Sequence, residues 1–187
     1  LVEVQALVAP AANSAMPRRT VQGLESGRVS LVLAVLQQRV ADAPNATFDA
    51  WVSVAGGVRV TEAGADLAVA LALTSARTGE AVRGDTIALG EVGLGGEVRQ
   101  ATHTARRLGE AARLGFVRAI APTTAPDVDG MEIVRVADVA EALVAAGLGA
   151  PAARPVRSTA PTAGAVPVLR AVERPAESPV GERPDRW

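Results

Sequence analysis

The chain has no cysteine, which excludes disulfides, thiol catalysis and cysteine-ligated metal. It has no lysine either, so all 19 of its Lys-or-Arg residues are arginine. A phosphate-loop lysine, a Schiff-base lysine and a Ser–Lys dyad are therefore excluded within this chain. Tyrosine is absent and histidine occurs once, which leaves few general bases. No run of about 18 apolar residues occurs, so no membrane-spanning helix and no membrane partner are expected. No basic-then-apolar leader pattern is present, and the cytoplasm is the expected compartment. The first residue, Leu1, already lies in a strand-like run, which we read as a fragment whose upstream part is missing.

What remains suits one globular domain with an appendage. The chain has 187 residues, 49% of them hydrophobic and 21% charged, with a net charge of −1. Such a balance advertises no global field for nucleic acid. Composition breaks near Gly149: seven of the 12 prolines fall after residue 150. Residues 1–149 read as the folded domain and 150–187 as a disordered Pro/Arg/Ala-rich tail. The tail carries six Arg against four acids, and residues 1–150 carry 13 Arg against 16 acids.

The domain alternates strand and helix signals. Leu1–Ala9, Arg19–Gly23, Phe48–Ala55, Thr86–Glu91, Val117–Ala121 and Glu132–Val136 read as strands. Ser26–Val40 places Val29, Val32, Leu33, Leu36 and Val40 at helical spacing, with Ser26 as a cap. Ala65–Thr78, Thr102–Leu114 and Ala137–Ala146 are the other helices, each stopped by a glycine. The fold class is mixed α/β.

Several motifs carry little chemistry. The stretch Gly90-Glu91…Gly93…Gly95-Gly96 lacks GxGxxG spacing and reads as tight turns. Glu91 is a lone acid that suits pairing with an Arg better than catalysis. His103 has no HxxxH or HExxH neighbour and reads as a surface or capping residue. Asp127 and Asp129 lack the remaining ligands of a calcium loop. The arginines are more informative. Arg18, Arg19 and Arg28 surround one loop–strand–helix corner and are candidates for phosphate contact; ion pairing with Glu3 or Glu25 is the alternative. Arg106, Arg107 and Arg113 form a second basic cluster, in which Arg106 and Arg107 are further candidates for DNA contact; Glu110 offers a helical partner, and a solvated face is the alternative. The aromatic residues Phe48, Trp51 and Phe116 fall at expected core positions, so base stacking is not expected.

The motif order carries a resemblance. VEVQALV, PRRTVQG, GRVSLVLAVLQQR, FDAWVSVAGGVRVTEAGADLAVALALTSARTG, IALGEVGLGGEVRQ and RRLGEAARLGFVRAIAP together resemble the C-terminal domain of the bacterial RadA (Sms) family of DNA repair proteins, across roughly residues 1–148. That domain is similar to the proteolytic domain of Lon proteases, with a ribosomal protein S5 domain 2-like mixed sheet packed with helices. The resemblance implies a departure at both Lon catalytic positions: the serine position is Gly64 and the lysine position is Ala105. It thus implies a non-proteolytic scaffold; a Lon-like peptidase is the reading it counts against. It further implies a hexameric ring, an ATP-driven helicase that moves on single-stranded or branched DNA without sequence preference, and branch migration, with a recombinase as a further partner. ATP, magnesium and zinc would belong to upstream domains, and no cofactor is expected in this chain. Of the arginines, Arg18, Arg19 and Arg28 match the family's PRR…GxxxxR region. A pure ring-assembly domain without DNA contact is the competing reading, favoured by the net acidity of residues 1–150.

Overall fold

A computed structural model describes residues 1–13, 16–40 and 48–148, and the backbone of 168–171. Strand β1 (Val2–Pro10) alternates buried Val2, Val4 and Ala6 with more exposed residues, the pattern of a strand with one face on a core. Strand β2 (Arg19–Gln22) follows. Gly23 then turns the chain with φ +75, where a Cβ would stand 2.7 Å from the Val58 carbonyl oxygen and 2.9 Å from Val54 Cβ. Only glycine fits that close approach. Helix α1 (Ser26–Arg39) buries Val29, Val32, Leu33, Val35 and Leu36. Ser26 is its first residue rather than its cap; Glu25 holds the cap position and makes no side-chain bond there.

Strand β3 (Phe48–Val54) pairs antiparallel with β1 and parallel with β2. A 3-10 turn at Ala63–Ala65 leads into helix α2 (Asp66–Thr78), which is buried from Asp66 through Ser75. Its alanines let it lie close on the sheet, and Gly79 ends it in the left-handed conformation at φ +74. The predicted strand over 86–91 is divided. Strand β4 (Thr86–Ala88) ends before Gly90, and β5 (Glu91–Val92) forms a separate hairpin with β6 (Val98–Arg99).

Helix α3 (Thr104–Arg113), β7 (Arg118–Pro122), β8 (Glu132–Val136) and α4 (Val139–Ala145) complete the domain. Asp138 caps α4 by accepting from the Glu141 N–H at 2.9 Å, and Glu141 reaches back to the Ala137 N–H at 2.7 Å. This reciprocal pairing satisfies donors that the helix cannot.

The reading of 150–187 as a featureless tail departs from the structure at four residues. Val168–Ala171 forms strand β9. It lies inside the main sheet, whose order is β2-β3-β1-β9-β4-β7-β8. The physical reason is pairing: β1 and β4 each present a free backbone edge, and β9 satisfies both, antiparallel to β1 and parallel to β4. The other residues of that segment lie outside the described ones.

The sheet has two unequal faces. One carries the larger core, with Val2, Val4, Ala6, Ala50, Val52, Val54, Ala88 and Ile120 beneath α1, α2 and α4. Among the described residues the other face is covered only under β4, β7 and β8, where α3 packs Leu108 and Ala111 on Ile87, Ala119 and Ala121. Over β1 and β3 that second face is open: Leu7 is 52% exposed opposite half-buried Trp51. Trp51 is therefore not a core aromatic, which corrects the sequence expectation.

Candidate functional site

The N-terminal end of α2 gathers most of the buried charge among the described residues. Asp66 opens α2 with its side chain only 5% exposed. Its Oδ1 accepts from Arg28 Nε at 3.3 Å, and Arg28 Nη2 bonds its Oδ2. The Val92 N–H donates to Oδ2 at 3.1 Å. Burial pushes the Asp66 carboxyl above its ordinary value, opposed by the Arg28 hydrogen bond and by the Val92 N–H. Arg28 moves up from its own value through its hydrogen bond to Asp66. Glu91 Oε1 adds a second anion 3.8 Å from Arg28. Arg28 thus pairs with Asp66 and lies near Glu91, while Glu25, one of the alternatives expected from sequence, adds a weaker attraction.

A second ion pair lies beside it. Arg107 is buried, its Nε donates to the Thr102 carbonyl at 2.8 Å, and its Nη2 bonds Glu62 Oε2. Thr102 Oγ1 also donates to Glu62 Oε2, at 3.1 Å. Gly64 sits between the two pairs. A Cβ on Gly64 would stand 3.1 Å from Ala101 Cβ, 3.4 Å from Leu89 Cδ1 and 3.8 Å from Arg107 Nη1. The Gly90 N–H donates to the Gly64 carbonyl at 3.0 Å, which ties the turn to the end of β4. Ala105 is exposed on α3 and does not face Gly64; the α3 residue that does is Arg107. The buried residues of α3 are Thr104, Arg107, Leu108 and Ala111, a helical stripe that excludes position 105.

His103 precedes α3 with φ +56, the one non-glycine at positive φ among the described residues. It occupies the cap position without a side-chain cap bond and is exposed. Its carbonyl accepts from the Arg107 N–H at 3.0 Å.

The five candidate arginines do not form one surface. Arg19 opens β2, donates to the carbonyls of Arg18 and Phe48, and lies 5.0 Å from the Phe48 ring centre. Arg28 lies beyond the other end of β2, in the first turn of α1, where it pairs with Asp66. The structure thus separates Arg18 and Arg19 from Arg28. Arg107 is buried, and a guanidinium only 6% exposed cannot reach a phosphate backbone; this corrects its reading as a DNA contact. Arg18 and Arg106 are exposed, and neither side chain has a bonded partner among the described residues. The Arg18 backbone is fixed by its N–H, which donates to Asp49 Oδ1 at 2.7 Å. Arg113 pairs with Glu110 at 2.7 Å, as the helical spacing suggests, and Asp127 pairs with Arg135 at 2.6 Å.

Sequence reasoning missed Glu62 and Asp66 as members of this cluster. The signal for Glu62 was its place two residues before the Gly64 turn. Asp66 was legible as a favourable first-turn acid but not as the buried partner of Arg28, because that contact joins residues 38 apart. No helix among the described residues is long and apolar enough to cross a membrane.

No protein-family model matches the chain. Among curated proteins it is similar to the DNA repair protein RadA of Mycolicibacterium smegmatis, 48% identical over 135 residues, covering 71% of this chain and 28% of that protein. It is similar to the DNA repair protein RadA of Aquifex aeolicus, 44% identical over 144 residues, covering 76% of this chain and 32% of that protein. The DNA repair protein RadA of Bacillus subtilis is 42% identical over 147 residues, covering 76% of this chain and 32% of that protein. The chain therefore spans about a third or less of the length of these relatives.

Proposed function

Because this chain belongs to the RadA family of DNA repair proteins over some three quarters of its length, we propose that it is the non-proteolytic, Lon-like scaffold domain of an ATP-dependent repair and recombination protein. In this reading the domain helps assemble a ring, a hexamer in the resemblance, and contacts single-stranded or branched DNA without sequence preference. ATP hydrolysis, helicase movement and branch migration, with ATP, magnesium and zinc, belong to other parts of a longer protein. A recombinase is the expected further partner and the cytoplasm the expected compartment.

The observation that carries the non-proteolytic part is the Gly64 turn. The position that resembles the Lon serine has no side chain, and the group facing it is the Arg107 guanidinium paired with Glu62. A guanidinium stays protonated and cannot serve as general base. A Lon-like Ser–Lys peptidase needs a nucleophile at the serine position and a base facing it; Gly64 offers no nucleophile there and the Arg107 guanidinium no base.

For DNA contact, the support is the family together with Arg18 and Arg106, whose guanidinium groups are exposed. They lie on opposite halves of the sheet, Arg18 before β2 and Arg106 on α3 beneath β4 and β7. A strand touching both would cross the sheet rather than sit in one pocket. The second reading, assembly without DNA contact, is favoured by the way Arg19, Arg28 and Arg107 are held by protein partners. Fluorescence anisotropy of a labelled single strand, titrated with the whole chain at rising salt, separates the two. Affinity that falls linearly in log salt supports the first. Absence of binding at low salt supports the second.

A further inference from the structure

The main sheet ends in two edges of opposite charge. Among the described residues β2 closes it on one side and β8 on the other, with five strands between them. From Pro10 through Gln22, the loop and strand of the β2 edge, the charged residues are Arg18 and Arg19, a net of +2. From Asp127 through Val136, the turn and strand of the β8 edge, Asp127, Asp129 and Glu132 stand against Arg135, a net of −2. Asp49, on the strand beside β2, is buried and accepts from the Arg18 N–H. Asp127 and Glu132 pair internally with Arg135 and Arg118, yet their side chains stay 92% and 63% exposed. Arg18 and Asp129 are exposed, and neither side chain has a bonded partner among the described residues.

Exposed apolar side chains adjoin both charges. Met16 stands well out in solvent two residues before Arg18. Val117 is exposed as well, and its carbonyl accepts from the Glu132 N–H at 2.8 Å. Each edge thus joins apolar area to a charged rim, the make-up of a protein interface. An edge strand presents unpaired backbone groups, and charge is a common guard against edges sticking together. Like charge on both edges would guard against every pairing. Opposite charge does not: two β2 edges repel, two β8 edges repel, and a β2 edge attracts a β8 edge. A two-fold dimer through either edge sets a patch against itself, like charge on like. The head-to-tail contact is the one that charge favours, and such contacts close into a ring where the rotation allows.

We propose that the β2 edge, through Arg18, docks on the β8 edge, through Asp129, of a second copy of this chain. The contact rests on the ring-assembly reading above and names its two surfaces. It uses no residue of the Gly64 turn, and it needs no DNA.

Sedimentation velocity of the whole chain, without DNA, tests this. At low salt the unaltered chain self-associates, and it dissociates as salt rises. Arg18→Glu alone and Asp129→Arg alone each set like charges at the junction and raise the self-association Kd by at least about tenfold. Both side chains are exposed, so urea midpoints of the two variants stay with that of the unaltered chain. An equimolar mixture of the variants regains the association that each lacks, because every junction between unlike variants joins opposite charges. A two-fold or unrelated interface gives no such rescue. A chain that stays monomeric at low salt overturns the ring reading and this contact with it. Association that ignores both reversals, or that the mixture fails to restore, leaves the ring reading standing and overturns these two edges as its surfaces.

Discussion

Arg107 points its guanidinium at Gly64, with Nη1 3.8 Å from where a Cβ on that glycine would stand. The two residues are 43 positions apart, and the contact closes the turn before α2 against the start of α3. Arg107→Ala removes the bond to the Thr102 carbonyl and the packing of a buried stem. We expect a loss of about 2 kcal/mol. Glu62 is 40% exposed and can return to water, which keeps the loss below that of a fully buried pair. Arg106→Ala, one residue away and exposed, changes stability by less than about 0.5 kcal/mol. Urea unfolding at neutral pH measures both.

Gly64→Ser restores a hydroxyl without restoring hydrolysis. Its Cβ meets Ala101 Cβ at 3.1 Å, and we expect a stability loss of about 1–3 kcal/mol from overpacking. A fluorogenic peptide remains uncleaved, because the facing arginine keeps its proton. Turnover that tracks the purified variant would sink the scaffold reading.

Arg18→Glu and Arg106→Glu test the DNA reading residue by residue. Each removed phosphate contact lowers the magnitude of the salt slope by about 0.7 on single strands. Arg28→Ala leaves that slope unchanged, because its guanidinium is already held by Asp66. A slope that responds to Arg28 and ignores Arg18 and Arg106 would reassign the contact surface.

Asp66 carries a pH signature. Its folded-state carboxyl titrates above the ordinary value near 4, with burial as the main cause. The native state therefore binds this proton more tightly than the unfolded state does. The contribution of Asp66 is fully present below its unfolded value and is lost as pH rises through the folded one. Asp66→Asn keeps an oxygen acceptor for the Val92 N–H and abolishes the titration. The stability of the unaltered chain relative to Asp66→Asn rises as pH falls from neutral toward 4. Paired urea titrations across that range show the trend or its absence.

Gly23→Ala is the sharpest fold test. It places a methyl at φ +75, 2.7 Å from a backbone oxygen that cannot move aside. The strained conformation and the clash together cost about 3 kcal/mol. Gly79→Ala, also left-handed but with open space around it, costs only about 1 kcal/mol. Thermal or urea midpoints rank the two.

The mixed α/β class and the four helices among the described residues were legible: the spacing of Val29, Val32, Leu33 and Leu36 marks α1, and Gly79, Gly115 and Gly147 stop the other three. The site was less legible. Three basic residues close in sequence, Arg18, Arg19 and Arg28, are parted by the length of β2. Adjacent Arg106 and Arg107 point to opposite environments, which the stripe Thr104, Arg107, Leu108, Ala111 announces once it is counted. Strand β9 left no readable period: four residues after a proline carry too little alternation, and their pairing depends on edges contributed from far away in the chain.

That distance has a kinetic consequence. Val2 pairs with Ala171, so completing the sheet closes a loop spanning nearly the whole sequence. Non-local pairing of this kind slows folding and prolongs exposure of unpaired edges. A refolding experiment should therefore show a late phase that disappears in Leu169→Pro while the earlier, local phases keep their rates.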